Sequence, residues 1–191
     1  NRKRRTIGSK NGSLMDFKIL WEFTLANFPK YCTISPMSNK QKLAVILLTV
    51  LYLLTRLYNL TLLPITNDEA VYIYWAKIIA TTNQQWFILL TAGKPPLVHW
   101  LMVFFLNLLP SSYFLLAGRL PSVLGGLISL VGIYKIAKIL FLDRKISFLA
   151  SFLYILSPFA LFYDRMALLD AFVSSMVVWS FYYAFKTSQS L

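Results

Sequence analysis

The feature that most constrains this chain is a series of apolar runs, several of them about as long as a lipid bilayer is thick. Apolar residues make up 58% of the sequence and charged residues only 14%. Soluble domains contain about 45–50% apolar and roughly 25% charged residues. This composition excludes a soluble globular domain, and we expect an all-α integral membrane protein with about four transmembrane helices.

The distribution of basic residues indicates how these runs are oriented. Residues 1–42 carry nine of the nineteen lysines and arginines, and cytoplasmic segments of membrane proteins are enriched in both. We expect this segment to be cytoplasmic, either as a basic tail or with a short helix over residues 14–25 on the inner leaflet. The net charge of +12 then reports topology, and we expect no nucleic-acid partner.

The stretch between Pro95 and Pro110 decides the topology. It holds only 14 residues, fewer than the ~20 that a span needs. If it crossed the membrane, the basic turn at Arg144 and Lys145 would lie outside, against the preference of such turns for the cytoplasm. We therefore place this stretch in the membrane interface. The predicted spans are residues 43–63, 119–141, 146–163 and 170–185, with an external loop at 64–118 and a short end at 187–191.

Three local features complete this picture. The chain begins at Asn1 and stops at Leu191 soon after an apolar run, so we expect a piece of a longer protein. Cys32 is the single cysteine and has no partner for an internal disulfide. We expect Pro158 either to kink the third span or to be tolerated near its outer end, and the glycines of the second span to permit close helix packing. These are Gly125, Gly126 and Gly132.

The remaining ionisable residues gather mainly at the predicted outer membrane face. An ionisable group at membrane depth costs about 2.5–3.5 kcal/mol on insertion scales, so the groups that are kept there usually face a cavity or a partner. The set consists of Asp68, Glu69, Lys94, Arg119, Asp164, Arg165 and Asp170. It predicts a functional site at this face.

Most of these residues also have a purely structural interpretation. Asn67 or Asp68 can cap the helix that follows. Acids in the first turn of a helix, such as Asp68 and Glu69, are stabilised by the helix dipole. Lys94 precedes two prolines and is therefore held extended. Its ammonium group suits a phosphate, but a lysine at this position can also snorkel to lipid headgroups.

The second external turn leaves similar alternatives open. Arg165 and Asp170 either approach a cavity from its rim or form an internal salt bridge. Arg56 either snorkels or points at the same cavity, and Asp164 has no assigned role. His99 lies among apolar residues, where a lone histidine is more often a structural donor than a ligand. No metal-binding His/Cys spacing, glycine-rich phosphate loop or Ser-His-Asp set is present in the sequence.

Four motifs occur in a defined order along the chain. They are NDEA at 67–70, GKPPLVHWL at 93–101, GRLPS at 118–122 and DRMALLDA at 164–171. In this order they resemble the N-terminal part of the GT-C membrane glycosyltransferases. The closest resemblance is to the protein O-mannosyltransferase-like family and the related lipid A aminoarabinose transferase, and it covers residues 43–186.

The resemblance implies a fold and an activity. It implies two interfacial juxtamembrane helices in the first external loop, and transfer of a sugar with inversion on the external face of the plasma membrane. The donor would be an undecaprenyl or dolichyl phosphate sugar, and the acceptor a protein, lipid or glycan. No separate cofactor is implied, and a need for a divalent metal is left open. Members of the family continue for several more spans, so this chain could be inactive alone.

The resemblance also implies roles for individual residues. Asp68 is the candidate general base, and Glu69 beside it would orient the acceptor or the backbone. Lys94 and Arg165 would bind the donor phosphate. Further substrate-orienting residues are expected to be Asp170, His99 and Tyr72.

A second function class fits the same membrane pattern. A non-catalytic four-span protein could bind polyprenyl phosphate or assemble with a partner. Such a protein needs Lys94 and Arg165 but has no use for Asp68. A transporter fragment is disfavoured, because its charges would lie near the middle of the bilayer rather than at one rim.

Overall fold

The computed structural model describes residues 37–82 and 86–188, and within these ranges the chain is helical and contains no strand. The predicted all-α class is therefore confirmed for the described part. The predictions made for the basic segment up to residue 36, including the helix on the inner leaflet and Cys32, lie outside the described residues. Residues 189–191 also lie outside them.

Seven α-helices follow one another in the described ranges. They are α1 (Asn39–Leu57), α2 (Asn67–Thr81), α3 (Leu97–Leu108), α4 (Phe114–Phe141), α5 (Arg144–Leu156), α6 (Pro158–Tyr163) and α7 (Asp170–Ser188). Short 3₁₀ turns, Ile88–Ala92 and Ser111–Tyr113, precede α3 and α4. The predicted external loop 64–118 thus contains the two helices expected there, α2 and α3, and their place at the membrane interface stays a prediction.

The helix lengths confirm the predicted spans only in part. In the described chain one helical stretch, Ser111–Phe141, is both long and apolar enough to cross a membrane. The third predicted span is not a single helix, since α5 ends at Leu156 and α6 begins at Pro158. Proline has no N–H for the helix ladder and its ring clashes with the preceding turn. The kink expected at Pro158 is confirmed, whereas the count of four spans is not confirmed.

The central helix is α4, which packs against α7, α5 and α3. Its glycines make this approach possible. A Cβ at Gly125 would lie 3.1 Å from the backbone of Ala171, and one at Gly132 would crowd Val178. A Cβ at Gly126 would overlap buried polar side chains. The close packing expected from these glycines is confirmed.

Two apolar cores hold the helices together. The first lies between α2 and α3 and includes Ile73 and Met102, with Ala167 from the turn between α6 and α7 packed into it. The second joins α1 to α4 through Tyr52 and Val123. The turn that precedes α7 is therefore held against α2 and α3, and this contact builds the candidate site.

Candidate active site

Helix α2 begins with a reciprocal cap that places its two acids on different sides. The Thr66 hydroxyl accepts a hydrogen bond from the Glu69 backbone N–H at 3.4 Å, and the Glu69 carboxylate accepts one from the Thr66 N–H at 3.2 Å. This is the capping-box arrangement. The expectation that Asn67 or Asp68 caps this helix is wrong, because Thr66 is the N-cap residue.

Glu69 is completely buried and its carboxylate is fully engaged. Arg119 donates to both of its oxygens, from Nε and Nη2, each at 2.8 Å. The Ala167 N–H donates to the same carboxylate at 2.7 Å. Burial alone raises the pKa of Glu69, but the hydrogen bonds from Arg119, Ala167 and Thr66 outweigh it and hold the pKa below its usual value. Glu69 therefore joins α2, α4 and the turn before α7.

Arg119 also organises the irregular segment that links α1 to α2. Its Nη1 donates to the carbonyls of Leu60 at 2.7 Å and Leu63 at 3.1 Å, and its Nη2 lies 3.4 Å from that of Pro64. Sequence reasoning placed Arg119 at the level of the acids but did not pair it with Glu69. The signal was present, since a buried arginine in a helix needs a carboxylate partner.

Asp68 lies next to Glu69 in sequence but is exposed. Tyr72 follows it by one helical turn on the same face, and the Lys94 ammonium group donates to the Tyr72 hydroxyl at 2.8 Å. This hydrogen bond is the main cause that raises the pKa of Lys94, and the charges of Asp68 and Asp170 add to it. The structure thus places Lys94 in contact with Tyr72, with Asp68 and Asp170 near enough for their charges to act on Lys94.

The position of Lys94 follows from the backbone on both sides of it. The 3₁₀ turn ends at Gly93, which has a left-handed φ of 66° that glycine adopts without strain. Pro95 and Pro96 then prevent the turn from continuing until α3 begins. Lys94 therefore projects from a short rigid link, with its Nζ 5.1 Å from the centre of the Tyr72 ring.

His99 lies behind this cluster rather than in it. Its side chain is completely buried and its ring packs edge-on against Tyr72, with 5.2 Å between ring centres. Neither ring nitrogen has a hydrogen-bond partner of good geometry. Burial is the main cause that lowers the pKa of His99 to about 4, so the ring is neutral near pH 7. The ring lies beside Tyr72 and Trp75, and the substrate-orienting role expected for His99 stays a prediction.

Arg165 contacts backbone carbonyls. Its Nη2 donates to the carbonyls of Tyr58 at 2.9 Å and Asn59 at 2.8 Å. Among the described residues the ion pairs are Arg56–Asp164 and Arg119–Glu69, so the interpretation of Arg165 as the salt-bridge partner of Asp170 is wrong. Its role at a donor phosphate stays a prediction.

Arg56 and Asp164, which had no firm assignment from the sequence, form the second buried ion pair. The Arg56 Nε lies 3.3 Å from the Asp164 carboxylate, and both side chains are almost fully buried. Arg56 therefore does not snorkel, and its partner Asp164 lines the groove described below. Sequence spacing could not reveal this pair, because the two residues are 108 positions apart.

A groove of about 530 Å³ lies between α5, α6 and α7. Its walls are largely apolar, with Phe159, Leu169 and Val177 among them, and both Asp164 and Asp170 line it. Its volume falls within the range of about 300–1,000 Å³ found for small-molecule sites. Asp170 both lines the groove and acts through its charge on Lys94.

The described residues contain no group of three His, Cys, Asp or Glu side chains placed to hold a metal ion.

Comparison with known proteins gives one clear match. Residues 93–190, just over half of the chain, match the family described as dolichyl-phosphate-mannose-protein mannosyltransferase. No curated protein and no solved structure matches the chain.

Proposed function

This chain belongs to the dolichyl-phosphate-mannose-protein mannosyltransferase family of GT-C glycosyltransferases, and we propose that it transfers a sugar from a polyprenyl-phosphate donor with Asp68 as the general base. The family is membrane-associated and mannosyltransferase-like. The finer proposal concerns the chemistry at the Asp68, Tyr72, Lys94 and Asp170 cluster.

In the proposed step an acceptor hydroxyl oxygen attacks the anomeric carbon of the sugar. A bond forms between these two atoms while the bond from the anomeric carbon to the phosphate oxygen breaks, which inverts the configuration. Asp68 takes the hydroxyl proton, and the polyprenyl phosphate leaves with the electron pair. The leaving phosphate gains charge in the transition state, so the Lys94 ammonium group stabilises it more strongly there than in the ground state.

The observation that carries this proposal is that two neighbouring acids differ in burial and in hydrogen bonding. Glu69 accepts hydrogen bonds from Arg119, Ala167 and Thr66 and has no accessible surface. Asp68 is exposed and acts electrostatically on Lys94. Of the two, Asp68 is the one that an acceptor can reach, and Glu69 supports the backbone around it.

The groove beside Asp170 supports a lipid-linked donor. Its apolar walls suit a prenyl chain, and Asp170, which lines it, also acts through its charge on Lys94, where we place the donor phosphate. We propose four spans, at 43–63, 119–141, 146–163 and 170–185, with the N-terminus in the cytoplasm and the site on the external face. The third span would then be the kinked pair α5 and α6.

The test is sugar transfer in membranes that contain the protein expressed from its complete gene. The donors are dolichyl-phosphate and undecaprenyl-phosphate mannose, radiolabelled in the sugar, with a membrane and protein extract as acceptor. Asp68→Asn is compared with wild type and with Asp143→Asn, which removes an exposed carboxylate at the start of α5. We expect Asp68→Asn to lose at least about a hundredfold in rate, and Asp143→Asn to match wild type.

Two other outcomes would change the assignment. Transfer at the wild-type rate by Asp68→Asn would show that Asp68 is not the base. Binding of polyprenyl phosphate without transfer by wild type would favour the alternative, a non-catalytic membrane protein that binds polyprenyl phosphate or assembles with a partner. In that case Lys94→Gln should weaken binding while Asp68→Asn should not.

A further inference from the structure

Asp164 is the first residue of the six-residue turn that joins α6 to α7, and its carboxylate is held from outside that turn. The Arg56 Nε, on α1, donates to it at 3.3 Å, and the Tyr52 hydroxyl, also on α1, shares its proton between the Val123 carbonyl at 2.9 Å and the Asp164 carboxylate at 3.3 Å. The Tyr154 hydroxyl, on α5, donates to it at 3.2 Å. Three donors on two helices thus fix a residue that is itself only 2% exposed.

Arg56 is held by contacts of its own, although its buried Nη2 has no hydrogen-bond partner among the described residues. It is completely buried, its Nη1 donates to the Ile155 carbonyl at 2.8 Å, and its guanidinium carbon lies 4.9 Å from the centre of the Tyr52 ring. A buried charge whose partner is removed is strongly unfavourable, whereas the intact pair is close to neutral in free energy. The pair therefore specifies one arrangement of α1, α5 and the turn rather than adding stability.

The rest of the turn is anchored at three further points. Arg165 donates to the carbonyls of Tyr58 and Asn59, at 2.9 and 2.8 Å. The Ala167 N–H donates to the buried Glu69 carboxylate at 2.7 Å. The Leu168 carbonyl accepts from the Ser122 hydroxyl at 3.1 Å. Two residues later the chain reaches Asp170.

We propose that Arg56 and Asp164 are positioning residues. They hold the 164–169 turn so that Asp170 stays near Lys94. The effect on transfer rests on the proposed glycosyltransferase function, whereas the effect on the turn does not. Neither side chain takes part in the chemical step in this account, although Asp164 lines the groove assigned to the prenyl chain. Arg56 and Asp164 act through the backbone, and this role is separate from the anchoring by Glu69 and Arg119.

The pair should affect the transfer rate more than donor binding. Lys94 and Tyr72 lie on the link before α3 and on α2, and neither of these contacts Arg56 or Asp164 by hydrogen bond or ion pair. A displaced turn would move Asp170 relative to the donor, and small misplacements of a reacting assembly cost up to about a hundredfold in rate. Loss of the pair should therefore lower kcat by a larger factor than it raises the donor KM, because Lys94 and Tyr72 keep their positions while the turn residues Asp164 and Leu169 form only part of the groove wall.

The experiment uses Arg56→Gln, Asp164→Asn and the double variant, each expressed from the complete gene, with Asp143→Asn as the matched control. Each single variant leaves one buried charge unpaired, while the double variant restores neutrality and keeps hydrogen-bonding groups on both sides. We expect each single variant to lose about tenfold or more in kcat with the KM for dolichyl-phosphate mannose within about twofold of wild type. The double variant should recover most of the lost kcat, because the two substitutions act on one contact.

Hydrogen–deuterium exchange of the peptide that covers 164–170 provides a readout that does not depend on activity. The Ala167 amide is buried and hydrogen-bonded, so it should exchange slowly in wild type. Exchange in this peptide should speed up in both single variants, return toward wild type in the double variant, and stay unchanged in Asp143→Asn.

The outcomes separate the two proposals. If wild type transfers no sugar but exchange changes as expected, the proposed function fails and the positioning of the turn stands. If exchange in 164–170 is the same in wild type and both single variants, the positioning role is overturned, whatever the activity. A double variant that loses the product of the two single losses in kcat would also overturn it, since the residues would then act independently.

Discussion

The guanidinium group of Arg119 donates two hydrogen bonds of 2.8 Å to the Glu69 carboxylate, and both side chains are fully buried. The residues come from α4 and α2, so the pair fixes α2 to the central helix α4. The same carboxylate holds the Ala167 N–H of the turn before α7. One buried ion pair thus ties three separate parts of the chain together at the edge of the candidate site.

Removal of one partner of this pair should strongly destabilise the fold. We expect Glu69→Gln or Arg119→Met to lower the free energy of unfolding by about 3–5 kcal/mol, because the remaining charge is buried without its partner. Asp68→Asn, the exposed neighbour, should change it by less than about 0.5 kcal/mol. Denaturant unfolding in detergent micelles measures both. Equal effects at positions 68 and 69 would contradict the assignment of Glu69 as the structural acid.

His99 should make stability depend on pH in a window where carboxylates contribute little. Its pKa is about 4 in the fold and 6.5 in an ordinary environment, so the folded state resists protonation. This contribution is fully present above pH 6.5 and is lost as the pH falls toward 4. It amounts to about 3 kcal/mol, since one pKa unit corresponds to about 1.4 kcal/mol.

The comparison for this effect is His99→Phe, which keeps an aromatic ring against Tyr72. We expect the wild-type free energy of unfolding to fall between pH 6.5 and 4 relative to that of the variant, followed by denaturant unfolding at several pH values. Parallel curves for the two proteins would show that His99 does not titrate differently in the fold.

The Tyr72 hydroxyl orients the Lys94 ammonium group, so its removal should weaken donor binding. We expect Tyr72→Phe to raise the Kd for dolichyl phosphate by about two- to tenfold, the range of a single hydrogen bond. Tyr74→Phe is the control, because Tyr74 lies on the same helix with its side chain largely exposed. Isothermal titration in detergent measures both variants, and equal Kd values for them would contradict a role of Tyr72 in placing Lys94.

Gly126 leaves no room for a side chain beside the Arg56–Asp164 pair. A Cβ there would overlap the Tyr52 hydroxyl and the Asp164 carboxyl group. Gly126→Ala should therefore cost about 1–3 kcal/mol in the free energy of unfolding, as overpacking of a well-packed site does. Thermal unfolding of this variant is compared with that of Leu124→Ala, on an exposed part of the same helix. A smaller loss for Gly126→Ala than for Leu124→Ala would contradict this packing.

Several properties of this protein are determined by its sequence alone. Apolar runs predict helices, the order of the four motifs predicts the family, and Pro158 predicts the break between α5 and α6, because each depends on local chemistry. The charge pattern also predicts that Asp68, Lys94 and Asp170 lie at the same face of the membrane. Local spacing is enough for these inferences, since it sets which face of a helix is apolar and where the helix ends.

Only the tertiary structure decided which charged residue meets which. Asp68 and Glu69 are neighbours in sequence, yet one is exposed and the other is buried against Arg119, 50 positions away. Arg165 binds backbone carbonyls rather than Asp170, and Arg56 finds Asp164 across 108 positions. The physical reason is that a helical repeat specifies a face but not what packs against it. A buried charge takes the partner that helix packing brings within hydrogen-bond distance.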